Sequence, residues 1–279
     1  MKRTPLVVFT DLDGTLLDHG TYSFEPARPG LEALFEAGIP LVFCTSKTRL
    51  ETERWRRTFA NVHPFIVENG GAVYVPKGYF GTEVRCDRRD GGYDVVEFGR
   101  PYADLRRALQ EIRAATGLPL RGFGDMTVEE IAGLCGLTRE DAAMAAVREY
   151  DEPFVGTDAA GLSTVVAAAA DAGLSIVSGG RFHHLVGGSD KGLAVRALCD
   201  LFVRSRGPVR TVGLGDSPND EPMLRAVDVP VLVRRPDGRH FDGLHLPGLV
   251  IASGAGPEGW REAVLGLLRG PAGSPDRRD

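Results

Sequence analysis

Two aspartates stand two residues apart in Asp11-Leu12-Asp13-Gly14-Thr15-Leu16, directly after the apolar run Leu6-Val7-Val8-Phe9. Such a run reads as a buried strand. Carboxylates just past a strand end lie where an open α/β sheet gathers its chemistry, and Gly14 lets the backbone turn sharply there. The chemistry this suits is phosphoryl transfer, which needs an oxygen nucleophile, a proton donor for the leaving alcohol and a cation against the phosphate charge. Mg2+ takes carboxylate and carbonyl oxygens. Asp11 can offer one oxygen to the metal and the other to phosphorus. Asp13 can reach the leaving group and offer its backbone carbonyl to the metal. A bare D-x-D-G also fits an acidic turn with a helix cap; the full string with its strand is more specific.

Three further groups have matching chemistry. Thr45 ends a second strand-like run, where a hydroxyl can bond a phosphate oxygen, and Lys47 adds positive charge. Gly188-Ser189-Asp190-Lys191-Gly192 precedes a helix, and Lys191 can hold phosphate and offset clustered carboxylates. Gly213-Leu214-Gly215-Asp216-Ser217-Pro218-Asn219-Asp220 follows an apolar strand and enters a helix. There Asp216 can bind Mg2+ directly, while Asn219 or Asp220 can hold metal-bound water or orient Lys191. Taken singly, Thr45 fits an ordinary strand end and Lys191 an exposed lysine at a helix start.

These groups need elements to position them. The first third alternates strands at 6–9, 39–44 and 65–67 with helices at 29–37 and 50–59. The last third repeats the rhythm, with helices at 192–204, 221–226 and about 258–268 and strands at 211–214, 229–233 and 249–251. Strands alternating with helices predict a parallel, doubly wound α/β sheet of the Rossmann-like kind. The middle differs: Gly91-Gly92, an alternating stretch over 93–98, several helices and a second alternating run over 174–185 suggest an inserted α+β domain with its own antiparallel sheet. The expected division is a core at 1–81 and 188–269, an insertion at 82–187, and a disordered tail at 270–279, which is polar and rich in Gly and Pro.

Within the insertion, residues 127–146 read as two short helices around Gly136, with Thr127/Glu130 and Thr138/Asp141 as cap pairs. Their acidic residues make a DNA-reading helix pair a poor alternative. With 43% hydrophobic and 25% charged residues the chain is an ordinary globular one. A net charge of −5 gives no support for a nucleic-acid partner. No apolar run is long enough to span a bilayer and no signal-peptide pattern opens the chain. Cys44, Cys86, Cys135 and Cys199 form no metal-spaced pair, which predicts reduced thiols and a cytoplasmic location.

In the order DxD, Thr, Lys, GDxxxD, these strings resemble the motifs of the haloacid dehalogenase superfamily across the whole chain. The resemblance implies that Asp11 is the nucleophile and Asp13 the general acid/base. Thr45 and Lys191 would serve the phosphate. Asp11, Asp13 and Asp216 would hold Mg2+, with Asn219 and Asp220 behind them. It also implies a type C2 cap between the Thr and Lys motifs.

Narrower strings resemble the mannosyl-3-phosphoglycerate phosphatases of that superfamily. They are Thr45-Ser46-Lys47-Thr48-Arg49, Glu68-Asn69-Gly70-Gly71, the stretch from Arg148 to Phe154, and Gly179-Gly180-Arg181-Phe182-His183-His184. That resemblance implies hydrolysis of a phosphorylated glycoside, mannosyl-3-phosphoglycerate, to mannosylglycerate in compatible-solute synthesis, with the glucosyl analogue as a near alternative. The expected substrate contacts are Ser46, Lys47, Glu68, Asn69, Arg148, Ser178, Gly179, Gly180 and Arg181. The arginines and glycine amides suit a glycerate carboxylate, and Glu68, Asn69, Glu149 and Asp151 suit sugar hydroxyls. Without the resemblance, the stretch 148–154 reads as a charged helix end turned by Pro153. His183-His184 makes a poor metal site, because neighbours on a strand point opposite ways.

Overall fold

A computed structural model describes residues 4–179 and 182–269 of the chain. Its scaffold is a nine-stranded sheet in the order β13-β12-β11-β1-β2-β3-β4-β6-β5. The ranges are β1 Leu6–Thr10, β2 Leu41–Cys44, β3 Phe65–Val67, β4 Ala72–Pro76, β5 Arg88–Asp90 and β6 Tyr93–Glu97, then β11 Arg210–Gly215, β12 Val229–Arg234 and β13 Val250–Ala255. The strands from β13 to β3 in that order pair in parallel, and β4, β6 and β5 extend the sheet antiparallel.

The chain leaves β1 toward β2 on one side and returns to β11 on the other. The order therefore reverses at the carboxyl ends of β1 and β11, where an α/β sheet opens a ligand crevice. Alternate residues of β1 serve two cores, as a strand's two-residue period requires. Val8 packs with Phe43, Val212 and Trp260, whereas Val7 and Phe9 pack with Val42, Leu198 and Phe202 on the opposite face. Helices α1 (Arg28–Glu36), α2 (Arg49–Thr58), α7 (Lys191–Arg206), α8 (Glu221–Arg225) and α9 (Gly256–Arg269) complete these layers.

A second sheet, in the order β7-β8-β10-β9, is antiparallel throughout. It comprises β7 (Arg121–Gly122), β8 (Asp151–Val155), β9 (Ser175–Gly179) and β10 (Phe182–Val186). Helices α3 (Tyr102–Thr116) and α6 (Ala159–Asp171) bury Leu105, Leu109, Ile112, Val165 and Ala169 against Phe154 and Leu185 of this sheet. Helices α4 (Val128–Cys135) and α5 (Arg139–Ala145) form the expected capped pair. Glu130 N donates to Thr127 Oγ1 and Asp141 N to Thr138 Oγ1.

The structure corrects two expectations. The boundary at 82 falls too early, because β5 and β6 belong to the large sheet: β6 pairs with β4 from Ala72↔Glu97 to Pro76↔Tyr93. The inserted layer begins near Arg100, whose N–H donates to Gly187 O at 3.0 Å, so the two crossings lie side by side. The run over 174–185 supplies β9 and β10, which pair antiparallel. Residues 151–155, read as a turned helix end, form the buried strand β8. Its acids escape a strand signature because their partners come from elsewhere: Asp151 meets Asn69 and His184, and Glu152 accepts from Gly124 N. The tail at 270–279, like Gly180 and Arg181, lies outside the described residues. No described helix is long and apolar enough to cross a membrane.

Candidate active site

Asp11 follows β1, Thr45 follows β2 and Asp216 follows β11, so three parallel strand ends deliver three polar groups to one rim. Lys191 arrives from the first turn of α7, whose amino end is capped by Asp190 accepting from Leu193 N. Its Nζ donates to Asp11 Oδ1 at 2.7 Å and to Asp220 Oδ1 at 2.6 Å. Burial alone would lower the ammonium's pKa, but Asp11 and Asp220 more than offset it and hold it raised.

Asp11, Asp216 and Asp220 bring carboxylate oxygens within 4.8 Å of one another. Burial, chiefly, pushes Asp11 well above the ordinary carboxylate range; Lys191 opposes this and the neighbouring aspartates reinforce it. Burial and then Asp220 push Asp216 up to about 7. Asp220 is committed locally: Oδ1 accepts from Lys191, and Oδ2 from the amides of Asp216 and Ser217. It thereby ties the loop after β11 to the lysine. Asp216 Oδ1 accepts from Thr15 Oγ1, a partner the sequence reading did not use, although Thr15 lies within the first motif. Gly14 adopts φ +83°, and a Cβ there would lie 3.0 Å from Asp216 Oδ2, so glycine serves both the turn and the close approach.

Asp13 takes a different partner. Its Oδ2 lies 2.9 Å from Lys47 Nζ, while its Oδ1 is buried without a hydrogen bond among the described residues. Lys47 also lies 3.7 Å from Glu51 and 5.0 Å from the centre of the Tyr22 ring. Burial works against its charge, but Asp13 and Glu51 prevail and keep its pKa high. Thr45 Oγ1 accepts from Lys47 N, which holds the loop after β2. One cavity is lined by Asp11, Asp13, Ser46 and Lys47 of the core and by Arg148, Gly179 and His184 of the inserted layer.

The other expected substrate contacts divide. Arg148 lines the cavity, but Nε donates to Ala145 O and Nη1 to Ser46 O, so part of its fork ties the inserted layer to the core. Ser178 Oγ bonds His183 Nδ1 and borders a neighbouring cleft with Arg235. Gly179 packs on the loop after β11; a Cβ there would lie 2.5 Å from Asn219 Oδ1. Gly180 and Arg181 fall outside the described residues.

Glu68 and Asn69 are turned away from the cavity that Asp11 lines. With Gly70 they form a left-handed run at φ 47°, 55° and 89°, costly for the two non-glycine residues. Glu68 is fully buried, and its carboxylate accepts from Glu149 N and Tyr150 N. Asn69 donates to Asp151 Oδ2 at 2.7 Å and accepts from Asn219 Nδ2 at 3.0 Å. These residues lock the inserted layer to the core, a role their types alone do not announce. Glu149 likewise pairs with Arg88 and accepts from Tyr74 OH rather than facing the cavity.

Burial pushes Glu68 up to about 8. A carboxyl with its folded pKa above its unfolded value contributes stability fully below the unfolded value and loses it as pH rises through the folded one. The wild type is therefore expected to lose more stability than Glu68→Gln between about pH 6 and about pH 9. Urea unfolding at both pH values checks this, and parallel losses would refute it.

Comparison with known proteins accords with this geometry. A family model for haloacid dehalogenase-like hydrolases matches residues 8–84. A protein of Methanococcoides burtonii named glucosyl-3-phosphoglycerate/mannosyl-3-phosphoglycerate phosphatase is 45% identical over 263 residues, 94% of this chain and 97% of its own length. A mannosyl-3-phosphoglycerate phosphatase of Pyrococcus furiosus is 39% identical over 227 residues, 81% of this chain and 90% of its own length. Among solved structures, the sucrose-phosphatase of Synechocystis aligns with a TM-score of 0.64 at 15% identity, covering 94% of this chain and 98% of that one. A Thermoplasma acidophilum protein aligns with a TM-score of 0.68 at 16% identity, covering 94% and 97%. At such identities the structural likeness concerns the fold.

Proposed function

This chain belongs to the haloacid dehalogenase-like hydrolases, and within them to the glucosyl- and mannosyl-3-phosphoglycerate phosphatases; from that premise we propose that it hydrolyses mannosyl-3-phosphoglycerate to mannosylglycerate and phosphate, with the glucosyl ester as the alternative substrate. Relatives bearing both substrate names support keeping both sugars in view. The observation that carries the reading is the hold of Lys191 on Asp11 at the end of β1. Lys191 opposes the burial that raises the pKa of Asp11 and fixes one of its oxygens at the cavity edge.

In this reading an Asp11 oxygen attacks phosphorus, and the bond from phosphorus to the glycerate oxygen breaks. Asp13 passes a proton to that leaving oxygen, giving an aspartyl-phosphate and the free glycoside. Asp13 then takes a proton from water as the water attacks phosphorus, which releases phosphate and restores Asp11. Lys47 steadies Asp13 between these steps, and Lys191 balances the charge that gathers on the phosphoryl oxygens.

The donor set suits Mg2+. It is all oxygen, buried and crowded, and the raised pKa values of Asp11 and Asp216 mark a shortage of positive charge that Lys191 alone does not meet. Asp11, Asp216 and the Asp13 carbonyl would hold the ion, with Asp220 and Asn219 positioning the loop. Bound there, Mg2+ would neutralise phosphate charge.

The test is phosphate release from the mannosyl and glucosyl esters in Mg2+ and in excess chelator. Turnover of at least one ester is expected in Mg2+, falling to background on chelation and returning with added Mg2+. Equal rates in chelator would overturn the metal role. Release from neither ester, with other phosphate esters cleaved, would overturn the substrate.

A further inference from the structure

His184 sits on β10 opposite Pro153 of β8, and Asp151 lies two residues from that pair on the same face. Its Nδ1 lies 2.9 Å from Asp151 Oδ1 and 3.0 Å from Oδ2. Asp151 is wholly buried. Burial works to raise its pKa, but His184, Arg148 and Asn69 outweigh it and hold the carboxyl below its usual value. A carboxylate on Nδ1 holds a proton there and fixes the ring plane, which leaves Nε2 for another partner; a second carboxylate at Nε2 is met by the doubly protonated ring, a donor at both nitrogens.

The ring lines the same cavity as Asp11 and Asp13. Asp151 is itself tied through Asn69 to Asn219 on the loop after β11, so the ring's position is referenced to the phosphate end of the site. His183 shows the contrast: it faces the other side of the strand and bonds Ser178. The core end of the cavity already supplies the groups suited to phosphate. What remains for the inserted layer is the acid part of the leaving group. Arg148 Nη1, 3.7 Å from Asp151 Oδ2, shares that carboxylate with His184.

We propose that His184, held by Asp151, is a specificity-determining residue that donates from Nε2 to the carboxylate of the leaving group. The inference rests on the phosphate-ester reading of the cavity but not on the identity of the sugar. A ring bridging two carboxylates makes a charge-assisted bond. It would favour esters of hydroxy acids over otherwise matching esters of neutral alcohols.

The test is competitive inhibition of p-nitrophenyl phosphate turnover by 3-phosphoglycerate and by glycerol 3-phosphate, which differ in the carboxylate. In the wild type the acid should bind at least about tenfold more tightly, the scale of one charge-assisted hydrogen bond. His184→Gln should bring the ratio of the two inhibition constants close to unity, and Asp151→Asn should lower it in the same direction. His183→Gln should keep it. An unchanged ratio in folded His184→Gln, or no preference for the acid in the wild type, would overturn the proposal. A preserved preference without hydrolysis of either glycosyl ester would overturn the proposed substrate and leave the role of His184 standing.

Discussion

Asp11→Asn is expected to lower turnover by at least about 10³-fold, the scale on which removal of an attacking group is felt. The amide keeps the size and the position at the end of β1 but is a poor nucleophile. Its effect on stability should run the other way. Burial raises the pKa of the native carboxyl well above its usual value, so ionised Asp11 is a cost to the folded state. Without a divalent cation, the variant should therefore melt no lower than the wild type at neutral pH. Phosphate release and melting curves in chelator measure both arms. Turnover within tenfold of the wild type would remove Asp11 from the role of nucleophile.

Lys191→Met should destabilise the fold as well as stop the chemistry. The ammonium is the common donor to Asp11 and Asp220, and all three groups are buried. Removing one member of such a set leaves charges uncompensated, at a cost of about 3–5 kcal/mol. The cost should depend on pH with a definite sign. Without the lysine, Asp11 loses the neighbour that opposes its raised pKa. The variant is then least affected at low pH, where that carboxyl is protonated, and its loss grows as pH rises through the raised value. Denaturant midpoints for both proteins in chelator, near pH 5 and near pH 8, read this out. A loss of the same size at both would show that Lys191 fills space rather than balances charge.

Much of the scaffold could be read from local pattern. The apolar run before Asp11 is β1, and 65–67 is the strand β3 observed. The capped pair around Gly136 is present with its hydrogen-bonded caps. These features depend on periodicity and short-range capping, which a sequence carries within a few residues. The chemistry of the motifs was legible for a related reason. Carboxylates beside an apolar strand, a glycine needing positive φ and a lysine at a helix start each restrict what can be built locally.

Partnership was not legible. The alternation over 93–98 shows that a strand forms but not which sheet it joins; pairing with Ala72–Pro76 assigns it to the core. Glu68 and Asn69 have side chains suited to sugar hydroxyls, yet backbone amides of the inserted layer and the side chains of Asp151 and Asn219 occupy them. The residue type of Lys47 suits a substrate contact and it lines the cavity, but only the fold shows that it also meets Asp13. His184, dismissed as a metal ligand from its neighbour on the strand, becomes a cavity residue only once Asp151 arrives beside it on β8. Local pattern carried the strand-and-helix rhythm and the kinds of reactive group. The tertiary structure decided which buried charge meets which donor, because the cost of burying a charge depends on partners brought together from distant parts of the chain.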